Sequence, residues 1–507
     1  MPDERPPRLS WGMWKRFLLA AVTIIVLSAA ATATAGLEKL TTFAQEALPP
    51  SSHITTPKGL ITPAYDGQPQ TFLLIGSDRR SASRDAFDRL DPPHSDTLLL
   101  VHLDPNQGQT SVLSIPRDLL VSIHDPQTGQ TYYPAKINAA YTYGSMDKGS
   151  DGAASLAAET IKKLLGIQLN GIVDVTFSGF IDVVDQLGCV YVNVDHRYYN
   201  DNIGTAATNY SSINLQPGYQ KLCYTNALDY VRYRHTDSDI VRVARQQDFI
   251  RDIREQASIS LGNIDAVLRS VGRAIRTNFA ASAGELEVLA KLLVFSQQKP
   301  LRQVPFQYSS AATVIAGGDY VTATPQDIAS TVRNFLYGDQ KVTLAHVATP
   351  SHSHHAAKSP SPASIGLYPT SSGDVSAAVN AGTSLPFRML YPTLQTGPGV
   401  QIEVHDLTVR DQQNKLHHSY VAVFQQNGLG GYYDVEGTDW DNPPIIANPS
   451  RVATFGGRHY IFIDDGNHIH LIAWHEHGAL YWVNNTLLED LTNAQMLGIA
   501  ESVQPLS

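Results

Sequence analysis

The stretch GIVDVTFSGFIDVVDQLGCVYVNV, residues 171–194, decides the fold class. Its first seven residues read as a short apolar strand. SGFIDVVDQLG follows with Phe180, Val183, Val184 and Leu187 at the spacing of one helix face. VYVNV then reads as a second strand, rich in β-branched and aromatic residues. Strand, helix and strand in close succession point to a layered α/β domain. The same alternation extends outward from about residue 68 to about residue 340. FLLIG (72–76) reads as a strand ending at Ser77-Asp78-Arg79-Arg80. TLLLVHL (97–103) and SVLSI (111–115) flank the turn Asp104-Pro105-Asn106-Gln107-Gly108 and read as a hairpin. A helix is expected from the N-cap Asp151 to a stop at Gly166, with later helices near 225–233, 240–258, 263–275, 284–298 and 326–336.

The chain has 507 residues, 43% hydrophobic and 17% charged, enough to bury the cores of two to four domains. A net charge of −10 argues against a generally basic nucleic-acid-binding surface, though not against a local phosphate pocket. Two cysteines, Cys189 and Cys223, are too few for a disulfide scaffold or a cysteine zinc module.

The run Phe17–Ala35, FLLAAVTIIVLSAAATATA, carries no charge and spans roughly 28 Å as a helix, close to the thickness of a bilayer core. Arg5, Arg8, Lys15 and Arg16 precede it, so the N-terminus is expected to stay cytoplasmic and the rest of the chain to lie outside. Ala33-Thr34-Ala35 before Gly36 keeps open a second reading, a cleaved signal peptide. Either way the two cysteines reach an oxidising compartment, where they are expected to pair or to remain two separate buried thiols.

The domain plan read from the sequence is a tail (1–16), an anchor (17–35), a spacer (36–67), the α/β domain (68–340), a Ser/Pro/His-rich linker (341–375) and a smaller α+β domain (376–507). His352, His354 and His355 belong to the linker reading. In the last domain, YVAVFQQ, GGYYDVEG, HYIFIDDG, HIHLIAWHEHG and ALYWVNNTLL read as short strands before a closing helix. Its histidines His468, His470, His475 and His477 fit exposed strand and hairpin positions better than a zinc motif.

Polar clusters gather at the ends of the α/β strands. Asp78 and Asp96, in GSDRR and SDT, are strand-end carboxylates of the kind that bind a hard cation, although acids there commonly serve turns. Pro116 ends a strand ladder and leaves Arg117 at the sheet margin. Lys136 opens the segment KINAAY. The densest cluster is YVRYRH (230–235) with Asp239, Arg242, Arg245, Gln246 and Gln247, a segment that also suits a solvated helix laced with ion pairs. On a helix, however, Arg242, Gln246, Phe249 and Ile253 fall within about 60° of one another. Long polar side chains on an apolar stripe need partners, and an anion is a natural one for arginine.

The order GSDRR, SDT, SIPRD, KINAAY and YVRYRHTDSDIVRVARQQ resembles the LytR–CpsA–Psr (LCP) family of envelope phosphotransferases over roughly residues 68–340. The segment VDVTFSGFIDVVDQLGCVYVNV is also similar, with Cys189 where the family commonly has glycine. The resemblance implies a mixed central sheet flanked by helices, with an apolar groove for a polyprenyl chain. It implies transfer of a glycopolymer from a polyprenyl-diphosphate carrier to peptidoglycan, with Mg2+ at the diphosphate. Residue by residue, Asp78 and Asp96 would hold Mg2+. Arg80, Arg117, Arg232, Arg234 and Arg242 would hold the diphosphate, with Gln246 beside them, Lys136 assisting and Asp239 positioning the arginines. Asp78, Asp96, Arg117 and Arg232 are the expected catalytic set. His94 stands before Ser-Asp-Thr where the family often has arginine, which makes the pocket less cationic. A different class remains open: a non-catalytic scaffold that binds polyprenyl diphosphate during wall assembly.

Overall fold

The structure is a computed structural model, and it describes residues 52–65, 67–78, 93–201, 212–233, 235–256, 275–278, 301–315, 317–338, 361–397, 400–427 and 431–506. The anchor reading at 17–35 and the histidines at 352–355 lie outside the described residues. Among the described residues no helix is long and apolar enough to cross a membrane. The chain divides into two compact units: Met1–Val192, Tyr198–Asn214 and Lys221–Val332 form the first, and Asn193–Arg197, Leu215–Gln220 and Arg333–Ser507 the second.

The first unit is built on β1 (Gln70–Ser77), β2 (Ser95–Asp104), β3 (Gln109–Ser114), β4 (Leu120–His124), β5 (Thr131–Lys136), α1 (Ala139–Leu165), β6 (Gly171–Thr176), α2 (Phe177–Gln186), α3 (Tyr224–Arg232), α4 (Asp239–Gln256), β7 (Ile275–Thr277) and β8 (Leu301–Val304). Six of these strands form a mixed sheet in the order β7-β6-β1-β2-β3-β8. β1 runs antiparallel to β2 and parallel to β6, while β8 runs parallel to β3. The central strands are apolar on both faces: Phe72, Leu73, Ile75, Leu98, Leu99, Leu100 and Val101 are all buried. Such runs belong in a sheet covered on two sides. The mixed α/β fold expected from residues 171–194 is therefore the fold observed.

Two local features differ from the sequence reading. The helix expected from about Asp151 is the second part of α1, which follows a break at Lys148–Gly149, where Gly149 has φ 58° and ψ −142°; a first part, from Ala139, was not expected. Asp151, at the start of that second part, pairs with Arg276 of β7 and accepts the backbone N–H of Thr55 at 3.2 Å. Gly166, in the left-handed conformation, ends α1 as expected. The second difference concerns residues 361–375, read as linker. Leu367–Pro369 pairs with Leu394–Thr396, and Leu367 is buried, so an apolar anchor draws this stretch into the second unit.

Cys189 and Cys223 form a disulfide. Cys189 sits just beyond α2 with φ 70°, a left-handed conformation that glycine adopts without steric cost. Cys223 is the residue that caps α3, so the bond ties the end of one helix to the start of the other.

The second unit contains a seven-stranded antiparallel sheet: β9 (Val400–Arg410), β10 (Leu416–Asn427), β11 (Gly431–Thr438), β12 (Arg451–Phe455), β13 (Arg458–Asp465), β14 (His468–Glu476) and β15 (Ala479–Asn484). Its order is β9-β10-β11-β15-β14-β13-β12. α5 (Ser372–Ala381) and α6 (Asn493–Ser502) cover an aromatic core that includes Tyr420, Phe424, Tyr433, Trp474 and Tyr481. α6 starts in a capping box between Thr492 and Gln495. Of the histidines noted here, His470 bonds Glu489 at 3.2 Å and His475 bonds the carbonyl of Asp441 at 2.9 Å.

Candidate functional site

The site is assembled at the ends of β1, β2 and β3, where the sheet stops and the chain turns. Gly76 sits at the last straight register of β1 before a bulge, opposite Thr97. A Cβ at Gly76 would lie 2.9 Å from the Thr97 Cβ, so the close approach of β1 and β2 requires glycine. The bulge aims Asp78 past the sheet edge, where its backbone N–H bonds the His94 carbonyl at 3.1 Å. On β3 the ladder continues to Ile115, whose N–H bonds Leu98, and Pro116 then ends it. Pro116 to Leu119 forms a turn closed by a 3.1 Å backbone bond, which places Arg117 at the margin.

These loops are stitched together by the segment KINAAY. The Ile137 N–H bonds the Leu119 carbonyl, the Asn138 N–H bonds the Arg117 carbonyl, and the Ser95 hydroxyl donates to the Asn138 carbonyl at 3.3 Å. Tyr141 turns inward to donate to Asp174 at 2.8 Å, and the Ser77 hydroxyl donates to the other oxygen of the same carboxylate at 2.9 Å. Asp174 is fully buried in β6. It fixes both the residue before Asp78 and the first turn of α1. Sequence reasoning missed it, although an acid inside the apolar strand GIVDVT is a signal, because a buried carboxylate needs partners.

A crevice of about 520 Å³ opens above this frame. Asp78, Asp96, Arg117, Lys136, Arg232 and Arg242 all line it, brought together from segments more than 160 residues apart. His94, Asp118, Tyr143 and Tyr320 complete the rim; the roles of Asp118, Tyr143 and Tyr320 were not anticipated. Arg117 pairs with Asp96 at 2.8 Å and approaches Asp118 at 3.4 Å, while Lys136 pairs with Asp118 at 2.8 Å. Four cationic side chains thus face three carboxylates. Arg80 and Arg234 lie outside the described residues, and Asp239 opens α4 with its side chain outside the description.

An apolar slot of about 120 Å³ adjoins the crevice, and Asp96 and Arg232 line both. Phe177 and Phe180 of α2, Leu228 and Val231 of α3, and Phe249 of α4 form its walls. The Arg232 guanidinium lies 4.1 Å from the Phe177 ring centre, at the junction of charged and apolar compartments. Gln246 lines the slot rather than the crevice, and its side-chain amide donates to the Val231 carbonyl at 3.0 Å. It braces the backbone beside Arg232. The stripe Arg242, Gln246, Phe249, Ile253 is buried throughout, which sets aside the solvated-helix reading for that face. Arg245 faces elsewhere: it is fully buried, donates to Tyr230 and Tyr233 carbonyls at 3.0 and 2.8 Å, and pairs with Asp237.

Among the described residues no group of three or more His, Cys, Asp or Glu side chains converges as a metal cage. Two strand-end carboxylates on one crevice nevertheless suit Mg2+, which keeps waters and takes further oxygens from a substrate phosphate.

The LytR_cpsA_psr family model matches residues 30–335. Biofilm regulatory protein A of Streptococcus mutans is 29% identical over 269 residues, covering 52% of this chain and 62% of that protein. The polyisoprenyl-teichoic acid–peptidoglycan teichoic acid transferase TagT of Bacillus subtilis is 27% identical over 287 residues, 55% of this chain and 81% of that one. The chain spans 62% and 51% of the lengths of the first two curated relatives. Among solved structures, protein gbs0355 of Streptococcus agalactiae matches with a TM-score of 0.45 and 25% identity, over 53% of this chain and 86% of that chain. TagT of Bacillus subtilis matches with a TM-score of 0.39 and 24% identity, over 56% of this chain and 99% of that chain. With its motifs in order on one crevice and the family model spanning more than half of its residues, the chain belongs to the LytR_cpsA_psr family.

Proposed function

We propose that this chain is a membrane-anchored phosphotransferase that moves a glycopolymer from a polyprenyl-diphosphate carrier to peptidoglycan, in a Mg2+-dependent reaction. The junction at Arg232 carries the proposal: a crevice with four cationic side chains opens onto an apolar slot, the layout that a charged head with an apolar tail requires. The names of relatives such as TagT and TagU, teichoic acid transferases acting between a polyisoprenyl carrier and peptidoglycan, support the reaction class. Residues 17–35 supply the anchor, with the N-terminus cytoplasmic and both units outside.

In the proposed step an acceptor hydroxyl oxygen bonds the glycan-side phosphorus, and the bond from that phosphorus to the bridging oxygen breaks. Polyprenyl phosphate leaves with the electron pair, and the acceptor proton passes to Asp78 or Asp96. Phosphoryl transfer asks little covalent chemistry of the protein, so positioning and charge neutralisation dominate. Arg117, Arg232 and Arg242, with Arg80 and Arg234, hold the diphosphate oxygens, and Lys136 assists. Asp239 positions the arginines, and Gln246 holds α3 so that Arg232 points at the junction. Mg2+ held by Asp78 and Asp96 would neutralise charge on the phosphate oxygens.

The test is transfer of labelled polymer to wall material by Arg117→Ala and Arg232→Ala, each expected to fall about 10²–10³-fold. Near-normal transfer by both variants, with the fold intact, overturns the assignment. Tight binding of polyprenyl diphosphate with no turnover by the unaltered chain, given Mg2+ and acceptor, replaces it with the scaffold reading.

A further inference from the structure

One histidine of the second unit has carboxylates at both ring nitrogens. His417 stands near the start of β10, on the face opposite Tyr420, Ala422 and Phe424 of the aromatic core, and is 3% exposed. Its Nε2 lies 3.2 Å from Asp411, in the turn between β9 and β10, and its Nδ1 lies 3.2 Å from Asp439, just past β11. An ionised carboxylate only accepts, so each contact is a hydrogen bond only while that nitrogen carries a proton. The two bonds together therefore require the cationic ring. The Trp440 ring is stacked on it, with 5.1 Å between centres and 11° between planes, and a π face favours a positive charge.

Each partner is also anchored without the ring. Asp411 accepts the N–H groups of Gln413 and Lys415 at 2.9 and 2.8 Å, and Asp439 accepts the His418 N–H at 2.9 Å. Burial raises the Asp411 carboxyl, but donation from His417 and from those two N–H groups outweighs it and holds the group below its usual range. What the imidazolium adds is a tie between turn 411–415 and loop 439–446. The other charges nearby are less confined. His418 bonds Asp439 at 3.1 Å and His475 of β14 lies 3.3 Å from Asp441, but both rings are 43% exposed and screened by water. Arg410 and Lys415 are exposed, and Arg410 donates to the Asn414 carbonyl at 2.9 Å. Along the same face, His405 of β9 and Glu436 of β11 both pair with Val421, four residues along β10 from His417.

We propose that His417 is a pH-sensitive latch, closed while its imidazolium bridges Asp411 and Asp439 and open once the proton is lost. The neutral ring keeps one N–H and turns a lone pair toward the other carboxylate, so one of the two contacts must part. Both flanking segments keep their own anchors, which confines the change to turn 411–415 and loop 439–446. The loop carries Trp440 and Ile446, 9% and 8% exposed, and its Ile445 N–H bonds the Tyr219 hydroxyl at 3.2 Å. Opening therefore uncovers an apolar surface as pH rises through the range in which histidine titrates, about 5 to 8. The latch stands whether or not the first unit transfers phosphate.

The experiment is hydrogen exchange of the full chain in detergent at about pH 5.5 and about pH 8, on either side of histidine titration, with rates corrected for the intrinsic rise of amide exchange with pH. Relative to β14 and β15, residues 411–418 and 439–446 are expected to lose at least about tenfold in protection at the higher pH, the worth of a hydrogen bond to a charged group. His417→Gln, neutral at every pH, should be as open at the lower pH as at the higher. Asp411→Asn keeps the turn, because asparagine accepts the same backbone N–H groups, and its amide can donate to the neutral ring. Its exchange should stay slow at both pH values. His418→Gln should leave the step in place. Equal relative protection of the unaltered chain at the two pH values overturns the latch. So does a step that survives either His417→Gln or Asp411→Asn unchanged, and a step abolished by His418→Gln overturns the assignment to His417.

Discussion

Removing the Cys189–Cys223 bond is expected to destabilise the first unit and to slacken the walls of the apolar slot. The bond closes a loop across a sequence separation of 34 residues. In the chain-entropy treatment such a loop restricts the unfolded chain by about 12.6 cal/mol/K, or about 3.8 kcal/mol at 25 °C. Cys189→Ala/Cys223→Ala should therefore shift the urea midpoint of this unit down by about 1 M, taking a slope of about 3 kcal/mol/M. Cys189 holds φ 70°, so Cys189→Gly/Cys223→Ala should recover about 1 kcal/mol relative to the alanine pair, because glycine takes that conformation freely. The assay is equilibrium urea unfolding of all three chains, followed by hydrogen exchange in α2 and α3. These helices carry Phe177, Phe180, Leu228 and Val231 into the slot, and a second tie, the Tyr224 N–H to Asp185 at 3.1 Å, remains in the variants. Exchange should accelerate there more than in the central sheet. Unchanged midpoints, or a glycine pair less stable than the alanine pair, would refute the reasoning.

Asp174→Ala removes the acceptor of both the Ser77 and Tyr141 hydroxyls and is expected to cost about 2–4 kcal/mol, read by thermal unfolding. Asp174→Asn, which keeps one acceptor oxygen, should lose less. Gly76→Ala forces a Cβ to 2.9 Å from Thr97 and is expected to cost about 1–3 kcal/mol and to displace Asp78, measurable as weaker diphosphate binding. In the second unit, burial, reinforced by the charge on Asp195, pushes the Asp434 carboxyl up to about 8 against the donation from Asn193. A carboxyl whose folded-state value lies above its unfolded value of about 3.9 favours folding in its protonated form. Stability of that unit is therefore full below about pH 4 and declines as pH rises toward 8. The neighbouring Glu436 carboxyl is also held well above its usual range, by burial first and then by the charge on Asp434, so Asp434→Asn/Glu436→Gln should flatten melting temperature between pH 5 and 8, and an unaltered slope in that variant would show that this pair is not what titrates.

Much of the candidate site was legible because it is written in short contiguous words. SIPRD announces its own geometry: the strand must end at proline, so Arg117 must stand at an edge. The stripe of Arg242, Gln246, Phe249 and Ile253 is a property of helical periodicity alone. Where the reading failed, the deciding interaction was long-range. The first part of α1, from Ala139, is held by the bond from Tyr141 to Asp174, 33 residues away, which no local window shows. Gln246 left the crevice for the slot because the Val231 carbonyl claims its amide.

The sequence by itself determined the fold class, the order of the motifs and the residue types on offer, since alternation, helical spacing and chain-breaking prolines are local properties of the backbone. Only the tertiary structure decided that carboxylates from two strand ends and guanidinium groups from a turn and two helices share one crevice, and that Arg232 stands where this crevice meets the apolar slot. It alone decided that Asp174 bolts two motifs together and that His417 stands between Asp411 and Asp439. The reason is that proximity between distant segments is set by sheet register and packing, and neither is carried by any short window of the chain.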